Sequence, residues 1–407
     1  MTKIKAIDLF AGCGGLMDGF EQSGHYDTVA AVEWEKVPCQ NLENRLRTKW
    51  KYSDADQRVL RFDIQRTDDL FNGWTDDPDY GSSVGLDKLI EDAGGIDVII
   101  GGPPCQAYSI AGRVRDEHGM KNDYRNYLFE SYIKVLERYR PKAFLFENVP
   151  GILSAKPGDR PIIEIIQESF EAAGYHIMKD LSKAMIDFTE YGVPQNRKRV
   201  IIFGVRKDIF KNKSEDIVQS FYFSVLPKYK SNRKVTVKEA IGDLPKLFPQ
   251  EEDSKYNGAR TRHSLPNPMV ANHVARWQSD RDVGILAEDI ESGRNEYTSI
   301  SALKELYTKM TGKNSNVHKY HVIKWDEPSN LIPAHLYKDG LRHIHPDSTQ
   351  CRTLTVREAA RLQTFADDYI FEGSNMELYK MIGNAVPSLA AKCCANAVYD
   401  ILTENGN

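Results

Sequence analysis

The residues best suited to covalent chemistry lie in the run Gly101 to Gln106, where Cys105 follows two glycines and two prolines. The run comes directly after the apolar stretch Ile96 to Ile100, which is typical of a buried parallel strand. Proline restricts the backbone and glycine lets it approach a ligand closely, at the sheet edge where ligands bind. The pattern predicts a nucleophilic thiol; the alternative is an inert buried cysteine, the commoner fate of a single cysteine.

Three charged residues are candidates to act with this thiol. Glu147 follows the apolar run Ala143 to Phe146, and a carboxyl group at a strand end can donate or share a proton. Arg197 and Arg199 precede the strand pattern Val200 to Val205, and alternate residues of an extended segment point the same way. A solvated basic patch is the alternative interpretation of the two arginines.

A glycine-rich turn follows the first predicted strand, Ile4 to Phe10, and leads into a predicted helix. Strand, glycine turn and helix form the context in which nucleotide-type ligands bind. The dinucleotide fingerprint begins at Gly12 and Gly14 but has Met17 where the third glycine belongs, which argues against a nicotinamide oxidoreductase.

Two further carboxylates end predicted strands. Glu33 follows Thr28 to Val32, where an acidic side chain accepts hydrogen bonds from ribose hydroxyls. Asp63 follows Val59 to Phe62 and could accept an adenine amino group. The alternative is a glycine turn with unrelated surface acids. This alternative is less favoured because the turn and the two carboxylates follow three successive predicted strands.

Alternating strand and helix patterns up to Arg206 predict βαβ units around a parallel sheet, with helices on both faces. The polar stretch Gln65 to Gly95 is interpreted as an insertion around a helix near Leu86 to Ile90. From Asn212 to Pro346 the periodicity is weak, which indicates a second, irregular domain. Helical patterns resume at 355–364 and 387–402.

The composition is that of a soluble globular protein, with 407 residues, 41% hydrophobic content and a net charge of -4. No apolar run reaches the roughly 18 residues of a membrane helix, and the start lacks a secretory apolar region. The six cysteines contain no Cys-x-x-Cys pair, which favours reduced thiols and a cytoplasmic location. The net charge does not favour nucleic-acid binding, although a local basic cleft can still steer a polyanion.

Taken in order, these motifs resemble those of DNA (cytosine-5)-methyltransferases, most closely the bacterial restriction–modification type. The resemblance covers nearly the whole chain and rests on these motifs: Phe10 to Gly15, Glu33-Trp34, Asp63-Ile64, Pro104-Cys105-Gln106, Asp123 to Leu128, Glu147-Asn148-Val149, Tyr191 to Arg199, Arg357 to Gln363 and Gly383 to Pro387. The segment from Arg206 to Gln350 lacks a strong match and corresponds to the variable target-recognition domain of the family.

The resemblance implies methyl transfer to carbon 5 of a cytosine flipped out of double-stranded DNA, through a covalent adduct of Cys105. Glu147 would hold and protonate ring nitrogen 3, and Arg197 and Arg199 would hold the carbonyl oxygen and a phosphate. Gln106 to Arg125 would contain the catalytic loop. The methyl donor would be S-adenosylmethionine, released as S-adenosylhomocysteine.

The family pattern also assigns the cofactor residues. Glu33 would bind the ribose, Trp34 and Ile64 would stack on adenine, and Asp63 would accept from its amino group. Phe10, Gly12 and Gly14 would lie on the methionine side, Pro104, Leu128 and Asn384 would close the pocket, and Asp8 is a further expected cofactor contact.

The implied fold is a Rossmann-like methyltransferase sheet of the α/β class with a smaller target-recognition domain. The predicted boundaries are 1–206 for the catalytic and cofactor-binding domain, 207–345 for target recognition and 346–407 for a segment that completes the catalytic domain. Candidate DNA-contacting residues in or near the middle segment are Lys228, Tyr229, Lys230, Arg233, Lys234, Tyr256, Arg260, Arg262, His263, Arg276 and Trp277. The helix at 355–364 is expected to organise this domain rather than to do chemistry.

Expected partners are a short specific DNA site, bound by a monomer, and a cognate endonuclease that acts independently, with the protein associated with the nucleoid. No membrane partner is expected. No metal is expected either, because the histidines from His318 to His345 with Cys351 match no closed tetrahedral spacing. An RNA cytosine-5 methyltransferase and a non-catalytic DNA-binding protein of the same fold remain alternatives.

Overall fold

The computed structural model describes residues 3–104, 128–156, 160–256, 259–265, 270–291, 299–315, 319–338 and 340–405. Cys105, the predicted nucleophile, lies outside these residues, as do Gln106 to Arg125 and His318. The described residues include every other predicted catalytic and cofactor residue.

Twelve strands are present in the described ranges. They are β1 (Ile4–Leu9), β2 (Tyr26–Glu33), β3 (Val59–Arg61), β4 (Trp74–Asp77), β5 (Gly81–Ser83), β6 (Val98–Gly101), β7 (Ala143–Asn148), β8 (Tyr175–Ile177), β9 (Met185–Asp187), β10 (Lys198–Arg206), β11 (Pro249–Tyr256) and β12 (Ala259–His263). Eight of them form one sheet in the order β3-β2-β1-β6-β7-β10-β8, with β9 paired to β10.

The central part of this sheet is parallel. β1 pairs in parallel with β2 and β6, and β2–β3 and β6–β7 are also parallel. β10 runs antiparallel to β7, β8 and β9. Strands β6 and β7 are continuous apolar runs because both faces of a parallel sheet are covered. The carboxyl ends of β1, β2, β3, β6 and β7 therefore meet at one edge.

The helices of the described ranges are α1 (Gly15–Gln22), α2 (Lys36–Thr48), α3 (Ala55–Arg58), α4 (Thr67–Asn72), α5 (Gly85–Ala93), α6 (Leu128–Tyr139), α7 (Ile162–Ala172), α8 (Lys207–Phe210), α9 (Ser214–Ser220), α10 (Val237–Ile241), α11 (Asp280–Glu291), α12 (Ile300–Thr311), α13 (Val356–Leu362), α14 (Asn375–Asn384) and α15 (Ser388–Asn405). The parallel-rich sheet with flanking helices confirms the predicted α/β fold class.

The first compact unit comprises residues 1–191, 198–232 and 386–407. Its last helix, α15, packs directly on α1: a Cβ atom built at Gly19 would lie 2.4 Å from the Ala391 Cβ. The Tyr26 hydroxyl also donates to the Ala395 carbonyl at 2.8 Å. Only glycine at position 19 permits this close approach. The contacts of α15 with α1 and with Tyr26 make this helix part of the sheet-containing unit.

The second unit comprises residues 192–197 and 233–385. Helix α13 begins with a capping box formed by Thr355 and Glu358. The Glu358 carboxylate is completely buried and pairs with Arg352 at 2.6 Å. Arg357 donates to the carbonyls of Ala271, Ala366 and Tyr369. These contacts tie α13 to neighbouring main-chain segments of the second unit.

The two compact units have boundaries after residues 191, 197, 232 and 385, and the three predicted functional domains stay a prediction. Residues 207–232 pack in the first unit because the Tyr222 hydroxyl bonds to both Phe203 and Ile201 of β10. Residues 346–385 pack in the second unit through the Arg352–Glu358 core. Only the part from Val386 onward joins the sheet-containing unit.

Candidate active site

The turn between β1 and α1 requires glycine for two separate reasons. Gly12 and Gly14 have φ angles of 56° and 77°, in the left-handed region. A Cβ atom at Gly14 would also lie 2.4 Å from Leu42 Cδ1, so a larger residue would displace α2. Phe10, with φ of 60°, takes the same backbone conformation without being glycine. The turn is therefore tightly constrained where a ligand would approach it.

Glu33 connects this turn to the end of β2. Its Oε2 accepts from the Gly12 amide at 2.9 Å, and its Oε1 accepts from the amides of Trp34 and Glu35 at 2.9 and 2.8 Å. Burial raises the pKa of the Glu33 carboxyl. A carboxylate offers about four acceptor positions, so a ribose hydroxyl can still be accommodated.

Asp8 lies at the carboxyl-terminal part of β1 and is 1% exposed. Its Oδ2 has no hydrogen-bond partner among the described residues, and burial raises its pKa well above the usual range. A buried polar atom without a partner indicates a place where a ligand or an ordered water completes the site. The observation fits a cofactor that carries amino and hydroxyl groups.

The predicted adenine-binding residues follow β2 and β3, which pair in parallel. The Trp34 side chain is 51% exposed, so an indole face is open at the sheet edge. Ile64 is buried, and Asp63 Oδ1 accepts from the Gln65 amide at 3.0 Å. An exposed aromatic ring beside a carboxylate suits the stacking and hydrogen bonding of a purine.

Three other predicted cofactor residues have separate locations. Pro104 is exposed at the end of a described stretch, and Leu128 is buried at the start of α6. Asn384 is exposed at the end of α14, in the second unit. Their closing role remains a prediction.

Glu147 and Arg199 form an ion pair in the first unit. Arg199 Nε lies 2.7 Å from Glu147 Oε1, and the side chains are 10% and 12% exposed. A Cβ atom built at Gly102 would lie 2.7 Å from Glu147 Oε2. The Asn148 side chain also donates to the Pro103 carbonyl at 3.5 Å. The run that leads to Cys105 therefore passes directly beside the Glu147 carboxylate.

Arg197 has different partners from Arg199, although the sequence predicts that they point the same way. Its side chain is 1% exposed and lies in the second unit. It donates to the carbonyls of Ile332 at 3.2 Å, Gly383 at 3.3 Å and Ala385 at 2.9 Å. These main-chain contacts favour a structural role for Arg197 and leave Arg199 as the arginine beside Glu147.

Several predicted DNA-contacting residues are engaged within the protein. His263 is buried and bonds to the Gln350 carbonyl at 2.9 Å, and Arg276 donates to the Leu336 carbonyl at 2.9 Å. Arg260 is exposed, with its guanidinium 4.5 Å from the Trp277 ring centroid and paired with the Asp253 carboxylate at the surface. The structure therefore favours Arg260 over His263 and Arg276 for an outside contact.

Within the described ranges, no group of three or more His, Cys, Asp or Glu residues is arranged to hold a metal ion. His343 instead bonds to the Leu331 carbonyl at 2.9 Å, and His345 lies 3.5 Å from Glu358. In the same part of the chain, no helix is both long and apolar enough to cross a bilayer.

Comparisons with known proteins agree with this geometry. The C-5 cytosine-specific DNA methylase family matches residues 4–400. The chain belongs to this family. It is therefore a DNA cytosine-5 methyltransferase, which confirms the resemblance identified from the motifs.

Curated relatives share the full length of the chain. The type II methyltransferase M.Bpa9945I of Bacillus paralicheniformis is 34% identical, with 97% of this chain and 98% of the relative covered. The type II methyltransferase M.DdeI of Desulfomicrobium norvegicum is 30% identical, with 96% and 88% covered. These relatives belong to restriction–modification systems.

Solved structures share the fold. A DNA modification methyltransferase encoded within an Escherichia coli prophage superimposes with a TM-score of 0.66 at 22% identity, with 98% of this chain and 100% of that chain covered. The Schizosaccharomyces pombe Dnmt2 methyltransferase superimposes with a TM-score of 0.54 at 15% identity, with 99% of each chain covered.

Sequence reasoning did not identify the close approach of Gly102 to Glu147 or the contact of Asn148 with Pro103. Both depend on the pairing of β6 with β7, where Gly101 lies opposite Phe146. The available signal was the position of Gly102 immediately after an apolar strand, next to a strand that also ends in a polar residue.

Proposed function

We propose that this methyltransferase transfers the methyl group of S-adenosylmethionine to carbon 5 of a cytosine flipped out of a specific double-stranded DNA sequence. It acts through a covalent Cys105 adduct, as the modification enzyme of a restriction–modification system. The supporting observation is the Glu147–Arg199 pair, 2.7 Å apart, beside the Gly102 and Pro103 run that leads to Cys105.

The first step is the addition of the Cys105 thiolate to carbon 6 of cytosine, which forms a sulfur–carbon bond and breaks the carbon 5–carbon 6 double bond. Arg199 holds Glu147 Oε1, so Oε2 is the oxygen on the Gly102 side and can hold and protonate ring nitrogen 3. Protonation neutralises the charge that develops on the ring. Carbon 5 then becomes an enamine-like nucleophile.

When bound, S-adenosylmethionine supplies an electrophilic methyl group. The residues that would hold it are Asp8 and the Gly12–Gly14 turn near its methionine part, Glu33 at the ribose, and Trp34 with Asp63 at the adenine. The unpartnered Asp8 Oδ2 and the exposed Trp34 ring support this assignment. After methylation, solvent accepts the carbon 5 proton, the electron pair expels the Cys105 thiolate, and ring nitrogen 3 returns its proton to Glu147.

The cytosine must leave the base stack because neither Glu147 nor a cysteine beside it can reach these atoms inside a duplex. Unstacking and unpairing cost a few kcal/mol, which contacts to the flipped base must offset. Arg199 contributes such a contact, to the cytosine carbonyl oxygen, and its ion pair with Glu147 supports this role.

The experiment that tests this proposal is bisulfite sequencing of plasmid DNA from cells that lack their own cytosine methylation and express the protein. We expect complete protection of one cytosine within one short sequence motif. A Cys105→Ala variant should give no protection while it still binds DNA and S-adenosylmethionine. Unprotected DNA from soluble wild-type protein, with methylated transfer RNA from the same cells, would instead establish the RNA alternative.

A further inference from the structure

A fully buried ion pair joins the two helices that begin at the proposed cofactor site. Arg45 of α2 contacts Asp18 of α1 through two hydrogen bonds, Nε to Oδ1 at 2.7 Å and Nη2 to Oδ2 at 3.2 Å. The Arg45 and Asp18 side chains are 2% and 0% exposed. Two parallel N–H donors to one carboxylate fix both the distance between the two side chains and their relative orientation.

The Asp18 carboxylate has further donors. Trp50 Nε1 donates to Oδ1 at 2.9 Å, and Gln22 Nε2 donates to Oδ2 at 2.8 Å. A carboxylate has about four acceptor positions, so Asp18 is saturated by the protein itself. Asp18 therefore has no acceptor position left for a ligand and acts through the helices that it joins.

The position of the pair connects it to the cofactor residues. The Asp18 amide donates to the Gly14 carbonyl at 2.7 Å, within the glycine turn. Helix α2 begins at Lys36, directly after the segment that contains Glu33. Around the pair, one apolar cluster packs residues of the turn, α1 and α2 together: Ala11, Met17, Leu42 and Leu46, with the partly buried Trp50 against them.

Stability alone does not require such a pair. Replacing a buried ion pair with apolar residues of similar volume is often neutral or stabilising, whereas removing one partner is strongly destabilising. What the bidentate pair adds is a fixed spacing between α1 and α2. The hydrogen bond from the Gly12 amide to Glu33 Oε2, at 2.9 Å, joins the two segments that lead into these helices.

We infer that Asp18 and Arg45 are positioning residues for cofactor binding, which hold the glycine turn and Glu33 in register. The inference rests on the proposed use of S-adenosylmethionine at this site. Because the pair acts on the cofactor side only, its loss should change the KM for S-adenosylmethionine and leave the KM for DNA unchanged.

The test is the double variant Asp18→Leu/Arg45→Met, which removes both charges and leaves no unpaired ion. We expect its KM for S-adenosylmethionine to rise by about tenfold, since small misplacements of positioning groups have effects of this size or larger. The kcat at saturating cofactor should stay close to that of the wild type. Steady-state kinetics with each substrate varied in turn, together with thermal unfolding, gives these values.

The matched control is Asp92→Leu/Lys88→Met, which removes an exposed ion pair of 2.6 Å on α5. It should change neither KM. A folded Asp18→Leu/Arg45→Met protein with wild-type affinity for S-adenosylmethionine would show that the pair is only structural and overturn the inference. Absence of S-adenosylmethionine binding by the wild type would overturn the proposed function itself, and the inference with it.

If the double variant does not fold, the single variant Arg45→Lys serves in its place, because it keeps the charge beside Asp18 but lacks the two parallel donors that fix the orientation of the helices. A rise in its KM for S-adenosylmethionine with an unchanged KM for DNA supports the positioning role. A loss of thermal stability with both KM values unchanged contradicts it.

Discussion

Glu147 and Arg199 are diagonal neighbours on the antiparallel strands β7 and β10, with 2.7 Å between Glu147 Oε1 and Arg199 Nε. The second carboxylate oxygen, Oε2, lies on the side of Gly102. One oxygen is thus held by the protein, and the other lies beside the segment that leads to Cys105. One fixed oxygen and one oxygen on the Cys105 side fit a carboxyl group that must be positioned and must also exchange a proton with a substrate.

The Glu147 carboxyl group is expected to be essential for turnover. Glu147→Gln preserves the shape but cannot protonate ring nitrogen 3, so kcat should fall by at least ~100-fold, the lower end of general acid–base contributions. Methyl incorporation into DNA at saturating substrates measures the change. Glu164→Gln, at an exposed position of α7, is the control and should retain full activity. A near-normal rate for Glu147→Gln would remove this residue from the mechanism.

Gly102 is expected to tolerate no side chain. In Gly102→Ala, the added Cβ would lie 2.7 Å from Glu147 Oε2 and must displace the carboxylate, so kcat should fall by about tenfold or more. Single-turnover methylation measures the chemical step directly. Gly284→Ala is the control, since its Cβ would meet nothing within 4 Å on α11. Equal rates for the Gly102→Ala protein and the wild type would contradict the close approach.

Arg197 and Arg199 are expected to differ in the property that they control. Arg197→Met leaves three buried carbonyl contacts unmade, so the free energy of unfolding should fall by about 1–3 kcal/mol. Arg199→Met should instead lower turnover more than stability, because it releases Glu147. Urea unfolding and methylation assays on both variants separate the two effects. If Arg197→Met mainly lost turnover and Arg199→Met mainly lost stability, Arg197 and not Arg199 would serve the site.

The buried Asp8 carboxyl is expected to reduce stability as the pH rises. Burial raises its pKa well above the usual range, so the folded state binds this proton more tightly than the unfolded chain does. The loss of stability that comes from ionising Asp8 is absent below the pKa of the unfolded chain, about 3.9, and grows as the pH rises toward the pKa of the folded state. The free energy of unfolding of Asp8→Asn, relative to that of the wild type, should therefore increase from about pH 5 to about pH 8.

Urea unfolding of both proteins at both pH values measures this gain. Asp92→Asn, at an exposed site of α5, should show the same difference from wild type at each pH. An Asp8→Asn difference that does not change with pH would show that Asp8 ionises equally in the folded and unfolded chains.

Much of the sheet-containing unit follows from local patterns. The predicted strands ending near Glu33, Asp63 and Glu147 are present, because apolar runs flanked by turns specify buried parallel strands. The predicted insertion contains a two-stranded hairpin, β4–β5, before helix α5. Its strands were not predicted because Trp74–Asp77 and Gly81–Ser83 are short and polar, with no alternation to read.

Other features depend on residues distant in sequence. Asp18 and Arg45 are 27 positions apart, and neither carries a local signal that it will be buried. Arg197 and Arg199 are two positions apart, yet their side chains bond to residues of different units. Alternation along an extended segment predicts the direction of side chains only where all the residues belong to one strand. Here β10 begins at Lys198, so Arg197 lies outside the strand and Arg199 lies within it.

The sequence by itself determined the family and the α/β fold, and it predicted Cys105, Glu147 and the glycine turn as the residues for chemistry and cofactor binding. It could do so because strand-end motifs combine backbone demands and reactive groups within a few consecutive residues. The tertiary structure decided that Arg199 pairs with Glu147, that Arg197 bonds to main-chain carbonyls, and that the two compact units divide after residues 191, 197, 232 and 385. These outcomes depend on which distant surfaces are buried against each other, and packing of that kind leaves no periodic trace in the sequence.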